Sequence, residues 1–140
     1  MILYLDTSAI VKRYFDEPFS EAVAAGWNSA EAIVSSSVAY AETMATIGRK
    51  IKEEDLDSHL IQKTRAFFQR DWNGFVRVDV TGDMNPYIDK ILQRHALRGF
   101  DAIHLASALI IQERLPRNFF FACYDQKLSQ AARLEGLSSF

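Results

Sequence analysis

The stretch "ILYLDTSAI", residues 2–10, decides how the rest of the chain is interpreted, because an acid closes its apolar run. Ile2 to Leu5 are apolar or aromatic, Asp6 follows them, and two hydroxyl residues come before the apolar residues resume. A short apolar run without alternation is typical of a parallel strand that is covered on both faces. Asp6 has no basic residue beside it, so a helix cap, a distant partner or an ion must compensate its charge.

Three further runs predict the other strands of the same sheet. "AIVS" (32–35) and "FFFACY" (119–124) are apolar like the first run, whereas "FVRVDV" (75–80) alternates more and is expected at a sheet edge. Strands that alternate with helices favour an α/β domain with a mainly parallel sheet. The predicted helices fill the intervals, over residues 8–15, 18–28, 37–52, 54–72, 84–97, 101–114 and 125–135.

The expected architecture is therefore a single domain over residues 1–140 with a central sheet of four to five strands between helical layers, an α/β/α sandwich. The helices at 37–52 and 54–72 are expected to form a hairpin between the second and third strands, with the break at "KEED" (52–55). Gly99 is expected to end one helix and Asp101 to begin the next.

The composition limits the class of protein. A hydrophobic fraction of 49% and a charged fraction of 24% are ordinary for a globular protein, and one cysteine excludes an internal disulfide framework. No apolar run reaches the ~18 residues of a membrane span, and "MILYLD" meets an acid too early for a signal peptide. We therefore expect a cytoplasmic protein without a membrane anchor. The net charge of −2 argues weakly against a nucleic-acid binder without excluding one.

Four acids differ from the others by their apolar surroundings. Asp6 and Asp125 each end a predicted strand, and Asp101 opens the apolar segment "DAIHLASAL". Glu42 lies within "VAYAETMA" and has no basic residue three or four positions away. Each aspartate can also be explained as a helix N-cap, and Glu42 as an exposed glutamate on a helix of small residues.

The fold relates these four acids to one another. In open α/β sheets the functional crevice lies outside the carboxyl ends of the strands, and Asp6 and Asp125 both end strands there. The helices that carry Glu42 and Asp101 are expected to begin at the same edge. Oxygen ligands favour a hard cation such as Mg²⁺, or Mn²⁺ in its place, and such a site suits phosphoryl transfer.

Four segments of the chain carry a resemblance to a known family. They are "YLDTSAIVKRYF" (4–15), "SSSVAYAETMATIGRK" (35–50), "RGFDAIHLASAL" (98–109) and "DQKLSQAARLEGL" (125–137). In this order and spacing they resemble PIN-domain nucleases and, among them, VapC-type toxins of toxin–antitoxin (VapBC) modules. The resemblance implies a PIN-like sandwich and a metal-dependent endoribonuclease. It also implies an RNA substrate, a VapB-like antitoxin as partner, and a homodimer.

The resemblance also assigns residues to the site. It places Asp6, Glu42, Asp101 and Asp125 in the acidic catalytic site, with Asp6 and Asp101 on Mg²⁺ and the other two bound directly or through water. Three further residues are expected to position the substrate, namely Thr7, Ser8 and Arg13. Members of the family commonly carry a hydroxyl residue two positions before the last aspartate, and Cys123 occupies that position here. The side chain of His104 is expected to be packed against other residues rather than to bind a metal.

Two other classes of protein remain open at this point. One is a catalytically silent PIN-like scaffold that only binds a partner, against which the presence of all four acids argues. The other is a phospho-acceptor signalling domain with flavodoxin-like topology. Such a domain needs an adjacent acidic pair after the first strand and a lysine after the last strand. Asp6 stands alone, and the lysine near Asp125 is Lys127.

Overall fold

A parallel sheet of four strands runs through the centre of the computed structural model, which describes residues 1–54, 57–115 and 118–140. The strands are β1 (Ile2–Leu5), β2 (Ala32–Ser36), β3 (Val76–Val78) and β4 (Phe119–Ala122). Their order across the sheet is β3-β2-β1-β4, and every neighbouring pair is parallel. The predicted parallel sheet is confirmed, and the alternating run does form an edge strand.

The register of the strands brings their carboxyl ends together. Ile2 of β1 lies opposite both Ala32 of β2 and Phe119 of β4, so Leu5 lies opposite Ala122. The residues that follow these strands therefore leave the sheet at the same edge. The backbone N–H of Asp6 still donates to the carbonyl of Ala122 at 3.2 Å, which joins the two strand ends.

Seven α-helices surround the sheet in the part of the chain that the structure describes. They are α1 (Thr7–Ile10), α2 (Ser20–Ser29), α3 (Ala39–Glu53), α4 (Ser58–Trp72), α5 (Asn85–Arg94), α6 (Gly99–Arg114) and α7 (Gln126–Leu134). A 3₁₀ turn, Val11–Arg13, continues α1. None of these helices is long and apolar enough to span a membrane.

The core is divided between the two faces of the sheet. Tyr4 of β1 packs with residues of α5, α6 and α7, whereas Leu3 and Leu5 pack on the opposite face with residues of α1, α3 and α4. Because successive side chains of a strand point to opposite faces, a strand covered by both helical layers must be apolar throughout. This explains the run "ILYL", and it confirms the expected three layers.

The predicted hairpin is formed by α3 and α4, which pack against each other. Gly48 faces Arg65 of α4, and a Cβ there would lie 2.5 Å from a guanidinium nitrogen of that residue. The same guanidinium donates to the carbonyl of Met44 at 2.8 and 3.1 Å. The helix α3 ends at Glu53, while Asp55 of the predicted break lies outside the described residues.

Several predicted helix boundaries were wrong. Gly99 does not end a helix, because α5 already ends at Arg94 and Gly99 is the first residue of α6. The extended backbone of Arg98 takes the N-cap position, and its carbonyl accepts from Ala102 at 3.0 Å. Asp101 therefore lies in the first turn and is not the N-cap. The first predicted helix is shorter than expected, since it consists of α1 and the 3₁₀ turn after it.

Candidate active site

A cavity of about 260 Å³ opens at the carboxyl edge of the sheet. All four acids that the sequence singled out line it, although they come from four different parts of the chain. Asp6 follows β1, Glu42 lies in α3, Asp101 lies in α6 and Asp125 follows β4. The remaining lining residues are Thr7, Ser8, Val11, Thr46, Arg49, Arg98 and His104.

Asp6 is held in place by its role as the N-cap of α1. Its Oδ1 accepts the backbone N–H of Ala9 at 3.0 Å and the hydroxyl of Ser8 at 2.7 Å. Only 4% of the residue is exposed. Burial raises the pKa of Asp6 above its ordinary value, although these two hydrogen bonds act against the shift. The carboxylate is therefore a buried anion that lacks full compensation.

Ser8 connects the ends of β1 and β4 through its hydroxyl. It donates to Asp6 and accepts the backbone N–H of Tyr124 at 2.9 Å. The next residue, Asp125, is the N-cap of α7 and accepts the backbone N–H of Leu128 at 2.9 Å. Two of the four acids are thus fixed by helix capping, as the simpler explanation proposed. They also line the cavity, so the two explanations do not exclude each other.

Glu42 is fixed by side chains from distant parts of the chain. Its Oε1 accepts from the hydroxyl of Thr7 at 2.9 Å and lies 2.8 Å from Nε2 of His104. Burial acts to raise the pKa of Glu42, but the interaction with His104, the hydrogen bond from Thr7 and the charge of Arg98 together outweigh it, so the pKa lies below its ordinary value. The explanation of Glu42 as a simply exposed glutamate is therefore wrong.

His104 is buried and joins Glu42 to the core. Its Nδ1 lies 2.9 Å from the hydroxyl of Tyr4, and its Nε2 faces Glu42. A neutral imidazole satisfies both contacts, because Nδ1 accepts from Tyr4 while the proton on Nε2 is donated to Glu42. The sequence predicted that His104 is packed, but it did not predict that His104 bridges Tyr4 and Glu42.

Asp101 has a cationic partner three residues before it. The guanidinium of Arg98 donates from Nε to Oδ2 of Asp101 at 3.2 Å. The side chain of Arg98 is 83% exposed, so solvent screens this pair. The hydrogen bond and the charge of Asp101, with the nearby charges of Asp125 and Glu42, raise the pKa of Arg98 above its ordinary value.

The donor set of the cavity suits a hard divalent cation in its chemistry. Four carboxylates and several hydroxyl groups line the cavity, and oxygen atoms of this kind are the ligands that Mg²⁺ and Mn²⁺ take. The carboxylates are, however, turned to protein partners. Among the described residues, no group of three or more His, Cys, Asp or Glu side chains is positioned to hold a metal ion as it stands. The types of ligand atom therefore fit such a cation, although the side chains are not arranged as a coordination shell.

The expected substrate-positioning residues are divided between two places. Thr7 and Ser8 line the cavity, but Arg13 does not appear among its described lining residues. Its guanidinium lies 5.1 Å from the ring centre of Trp27 instead. The cationic lining residues are Arg49 and Arg98. Arg98 lies three residues before Asp101 at the start of α6, and this spacing was a signal in the sequence that Arg98 would lie near the site.

Cys123, which stands where a hydroxyl residue was expected, is half-buried and lies two residues before Asp125. Its thiol lies 3.5 Å from the carbonyl of Asp125 and donates to it. Burial, with the adjacent charge of Asp6, raises the pKa of the Cys123 thiol well above its ordinary value. The residue therefore acts as a protonated, weakly donating side chain and not as a thiolate.

The chain is similar to known proteins over most of its length. The model of the PIN domain family matches residues 3–134 of the chain. The protein named Ribonuclease VapC45, from Mycobacterium tuberculosis, is 32% identical to the chain over 139 residues, which covers 96% of this chain and 92% of that relative.

Two solved structures share the fold at low sequence identity. The VapC20 toxin of Mycobacterium tuberculosis, described as cleaving the sarcin-ricin loop, is 16% identical, with a TM-score of 0.66 over 99% of this chain and 98% of its own. VapBC2 from Rickettsia felis, bound to a DNA fragment from its promoter, is 16% identical, with a TM-score of 0.65 over 100% and 98% of the two chains. These two likenesses concern the fold alone.

Proposed function

The chain belongs to the PIN domain family, and from this premise we propose that it is a metal-dependent endoribonuclease, the toxin of a toxin–antitoxin module. The sequence relatives that support this proposal carry the name ribonuclease and span nearly the whole chain. Family membership removes the support for a phospho-acceptor domain of flavodoxin-like topology.

One observation carries the proposal. Four carboxylates from four different parts of the chain, together with two guanidinium groups, line one small cavity at the carboxyl edge of the sheet. The simplest structural roles of these acids, capping and pairing, do not require that they meet. Both kinds of group serve to bind a phosphodiester backbone. The cations bind its non-bridging oxygens, and the carboxylates bind the divalent cation that shields its charge.

We assign the metal to Asp6 and Asp101, with Glu42 and Asp125 binding it directly or through water. Mg²⁺ is the proposed ion and Mn²⁺ a possible substitute, because every donor is oxygen. When bound, such an ion shields the charge of a phosphate and makes water a better nucleophile. The raised pKa of the buried Asp6 carboxylate is consistent with this assignment, since a nearby cation would lower it.

The other lining residues position these groups and the substrate. His104 and Thr7 hold the carboxylate of Glu42 in one orientation and keep it ionised. Arg49 and Arg98 are the cations that we assign to RNA phosphates. They replace Arg13 in this role, because Arg13 packs on an indole away from the described lining of the cavity.

The proposed partners follow from the family. A VapB-like antitoxin protein would keep the nuclease inactive, and the likeness to VapBC2 supports a partner of this kind. We also propose a homodimer. The mass of the purified protein, with and without the product of the neighbouring gene, tests both statements. A monomer at tens of micromolar that gains no mass with that product would contradict them.

Asp101→Asn tests the proposed activity, with Asp89→Asn as the matched control. Both changes remove one carboxylate from a helix, but Asp89 is exposed on α5 and is not part of the described lining of the cavity. The wild-type protein and the control should cleave a mixed RNA pool with Mg²⁺ and stop when a chelator is added. Asp101→Asn should lose at least about a hundredfold in rate, as expected when a charged group of the reaction centre is removed. No cleavage by the wild type under any of these conditions would instead support the silent scaffold.

A further inference from the structure

Phe19 is an exposed aromatic residue that the folded core does not require. Its ring is 64% exposed, and its backbone adopts the left-handed conformation, with φ 71°. Bulky residues rarely occupy this region, because the Cβ atom meets the neighbouring carbonyl group. A strained backbone that presents an apolar ring to solvent calls for a functional explanation.

The segment that carries Phe19 is held firmly in place. Ser20 accepts the backbone N–H of Glu17 at 3.1 Å and donates to the carbonyl of Phe15 at 2.8 Å. The carboxylate of Glu17 binds Lys12 at 3.1 Å and Lys50 at 2.9 Å. The loop is therefore bound to the 3₁₀ turn and to α3, which fixes the backbone on either side of the exposed ring.

The ring of Phe19 stacks on Tyr124, which is directly connected to the candidate active site. The two ring centres are 5.2 Å apart, with 22° between their planes. Tyr124 precedes Asp125, and its backbone N–H donates to Ser8, whose hydroxyl binds Asp6. The Phe19–Tyr124 stack thus lies beside the acidic cavity and is anchored to its lining.

A cation completes the surroundings of the stack. The ammonium of Lys12 lies 4.9 Å from the ring centre of Tyr124. Tyr124 therefore has two neighbours at its ring, Phe19 and Lys12, while Phe19 keeps most of its surface open to solvent. Single-stranded nucleic acids bind to open aromatic surfaces, since bases stack on rings. Because Lys12 is paired with Glu17, the exposed cations that a phosphate could approach are Arg49 and Arg98, which line the neighbouring cavity.

We propose that the Phe19–Tyr124 stack is a platform on which one unpaired base of the RNA substrate lies while the adjoining backbone enters the cavity. The proposal rests on the proposed ribonuclease function and adds to it a residue that recognises the substrate. RNA is recognised mainly through unpaired bases that stack on aromatic side chains.

A base fits the surface better than a protein partner does. The elements that adjoin the loop of Phe19 or are bound to it, the 3₁₀ turn, α2 and α3, contain no large exposed hydrophobic side chain. One exposed ring matches the area of one base, whereas protein partners dock on wider apolar patches. The position of the platform next to the cavity also places any stacked base close to the proposed reaction centre.

The test compares two fluorescent probes of equal length, an oligoadenylate and an abasic RNA backbone, by anisotropy in chelator at low salt. Phe19→Leu keeps an apolar side chain but removes the ring surface, and Phe19→Tyr restores it. Phe19→Gly removes the ring and suits the left-handed backbone, so folding is not impaired by strain. Phe67→Leu is the matched control, because Phe67 is an exposed phenylalanine on α4 and is not part of the Phe19–Tyr124 stack.

We expect Phe19→Leu and Phe19→Gly to weaken oligoadenylate binding about five- to tenfold and to leave abasic RNA binding unchanged. Phe19→Tyr and Phe67→Leu should bind both probes like the wild type. Equal binding of oligoadenylate by the wild type and Phe19→Leu would overturn the platform, and so would an equal loss for both probes. A loss confined to antitoxin binding would assign the surface to that partner and would also overturn it.

Failure of the platform can be told apart from failure of the proposed function. If the wild type binds neither probe, the platform is overturned. Cleavage of the mixed RNA pool then decides the second question, because a wild type that still cleaves keeps the ribonuclease function without the platform. A wild type that neither binds nor cleaves contradicts both proposals.

Discussion

The cavity has two halves that hold their acids in different ways. In the strand-end half, Asp6 and Asp125 follow β1 and β4 and are fixed by the backbone N–H groups of the helices that they cap. In the helix half, Glu42 and Asp101 lie within α3 and α6 and are fixed by side chains, His104 with Thr7 for the first and Arg98 for the second.

Because of this difference, substitutions in the two halves are expected to affect stability and activity differently. A capping acid contributes to the helix even without a ligand, so its replacement affects both folding and function. A helix-borne acid contributes through its partner, so the effect of a change depends on whether the partner is buried. His104 is buried, whereas Arg98 is exposed. The helix half therefore contains both the most and the least structurally sensitive contacts of the site.

His104→Ala should have the largest effect on stability. The change removes the acceptor of the fully buried Tyr4 hydroxyl and one donor of Glu42, and it leaves a cavity. An orphaned buried group costs about 1–3 kcal/mol and a large-to-small change adds to this, so we expect a loss of about 2–4 kcal/mol. RNA cleavage should also fall. Urea unfolding and the cleavage assay measure the two effects.

Two variants show whether the orphaned hydroxyl causes this loss. His59→Ala, at an exposed histidine of α4, should leave stability and cleavage unchanged. Tyr4→Phe in the His104→Ala background should recover part of the stability, because it removes the hydroxyl that lost its acceptor. A double variant that is no more stable than His104→Ala would show that packing, and not the Tyr4–His104 hydrogen bond, holds the helix half together.

The pair Asp6→Ala and Asp6→Asn separates the two roles of the strand-end half. Asparagine caps a helix about as well as aspartate, whereas alanine does not, so Asp6→Ala should be about 1–2 kcal/mol less stable than Asp6→Asn. Both should lose cleavage, because both remove the carboxylate. Equal stability of the two variants in urea unfolding would show that the capping of α1 by Asp6 contributes nothing.

The pH dependence of the same pair has a defined sign. Burial raises the pKa of Asp6, so the folded state keeps a proton in a range where the unfolded state has lost it. The contribution of this group is therefore fully present below the ordinary aspartate pKa and is lost as the pH rises through the raised value. Without metal, Asp6→Asn should lack this decline and be more stable than the wild type at neutral pH. A wild type that is the more stable of the two at pH 7 would contradict the argument.

The strand-end half could be predicted from the sequence, and the helix half only in part. An acid that directly follows an apolar run, such as Asp6, is visible because strand ends share one edge of a parallel sheet. The role of His104 was not visible, since its partner Tyr4 is 100 residues away and nothing local links them. Asp101 was wrongly predicted to begin α6 for a similar reason. The extended backbone of Arg98 determines where that helix begins, and residue type alone does not reveal it.

The Phe19–Tyr124 stack could not be predicted from the sequence, for a different reason. It depends on a left-handed backbone at a phenylalanine, a conformation that propensity argues against. Its contact with Tyr124 then joins a loop after the 3₁₀ turn to the segment that follows β4. Local rules predict well where they agree with the tertiary structure, and they fail at positions where contacts distant in sequence override them.

Cys123→Ser should have the smallest effect, and it sharpens the account of the strand-end half. The thiol donates weakly to the carbonyl of Asp125, and a serine hydroxyl can donate to the same carbonyl. The better hydrogen bond is offset by the burial of a more polar group among the apolar neighbours of Cys123. We expect a stability change within about 0.5 kcal/mol and cleavage within about twofold of the wild type. Cys123→Ala, which removes the donor, should be the less active of the two if this contact orders Asp125. Equal cleavage by the serine and alanine variants would show that capping of α7 alone positions that acid, and a tenfold fall with serine would show that the thiol itself is required there.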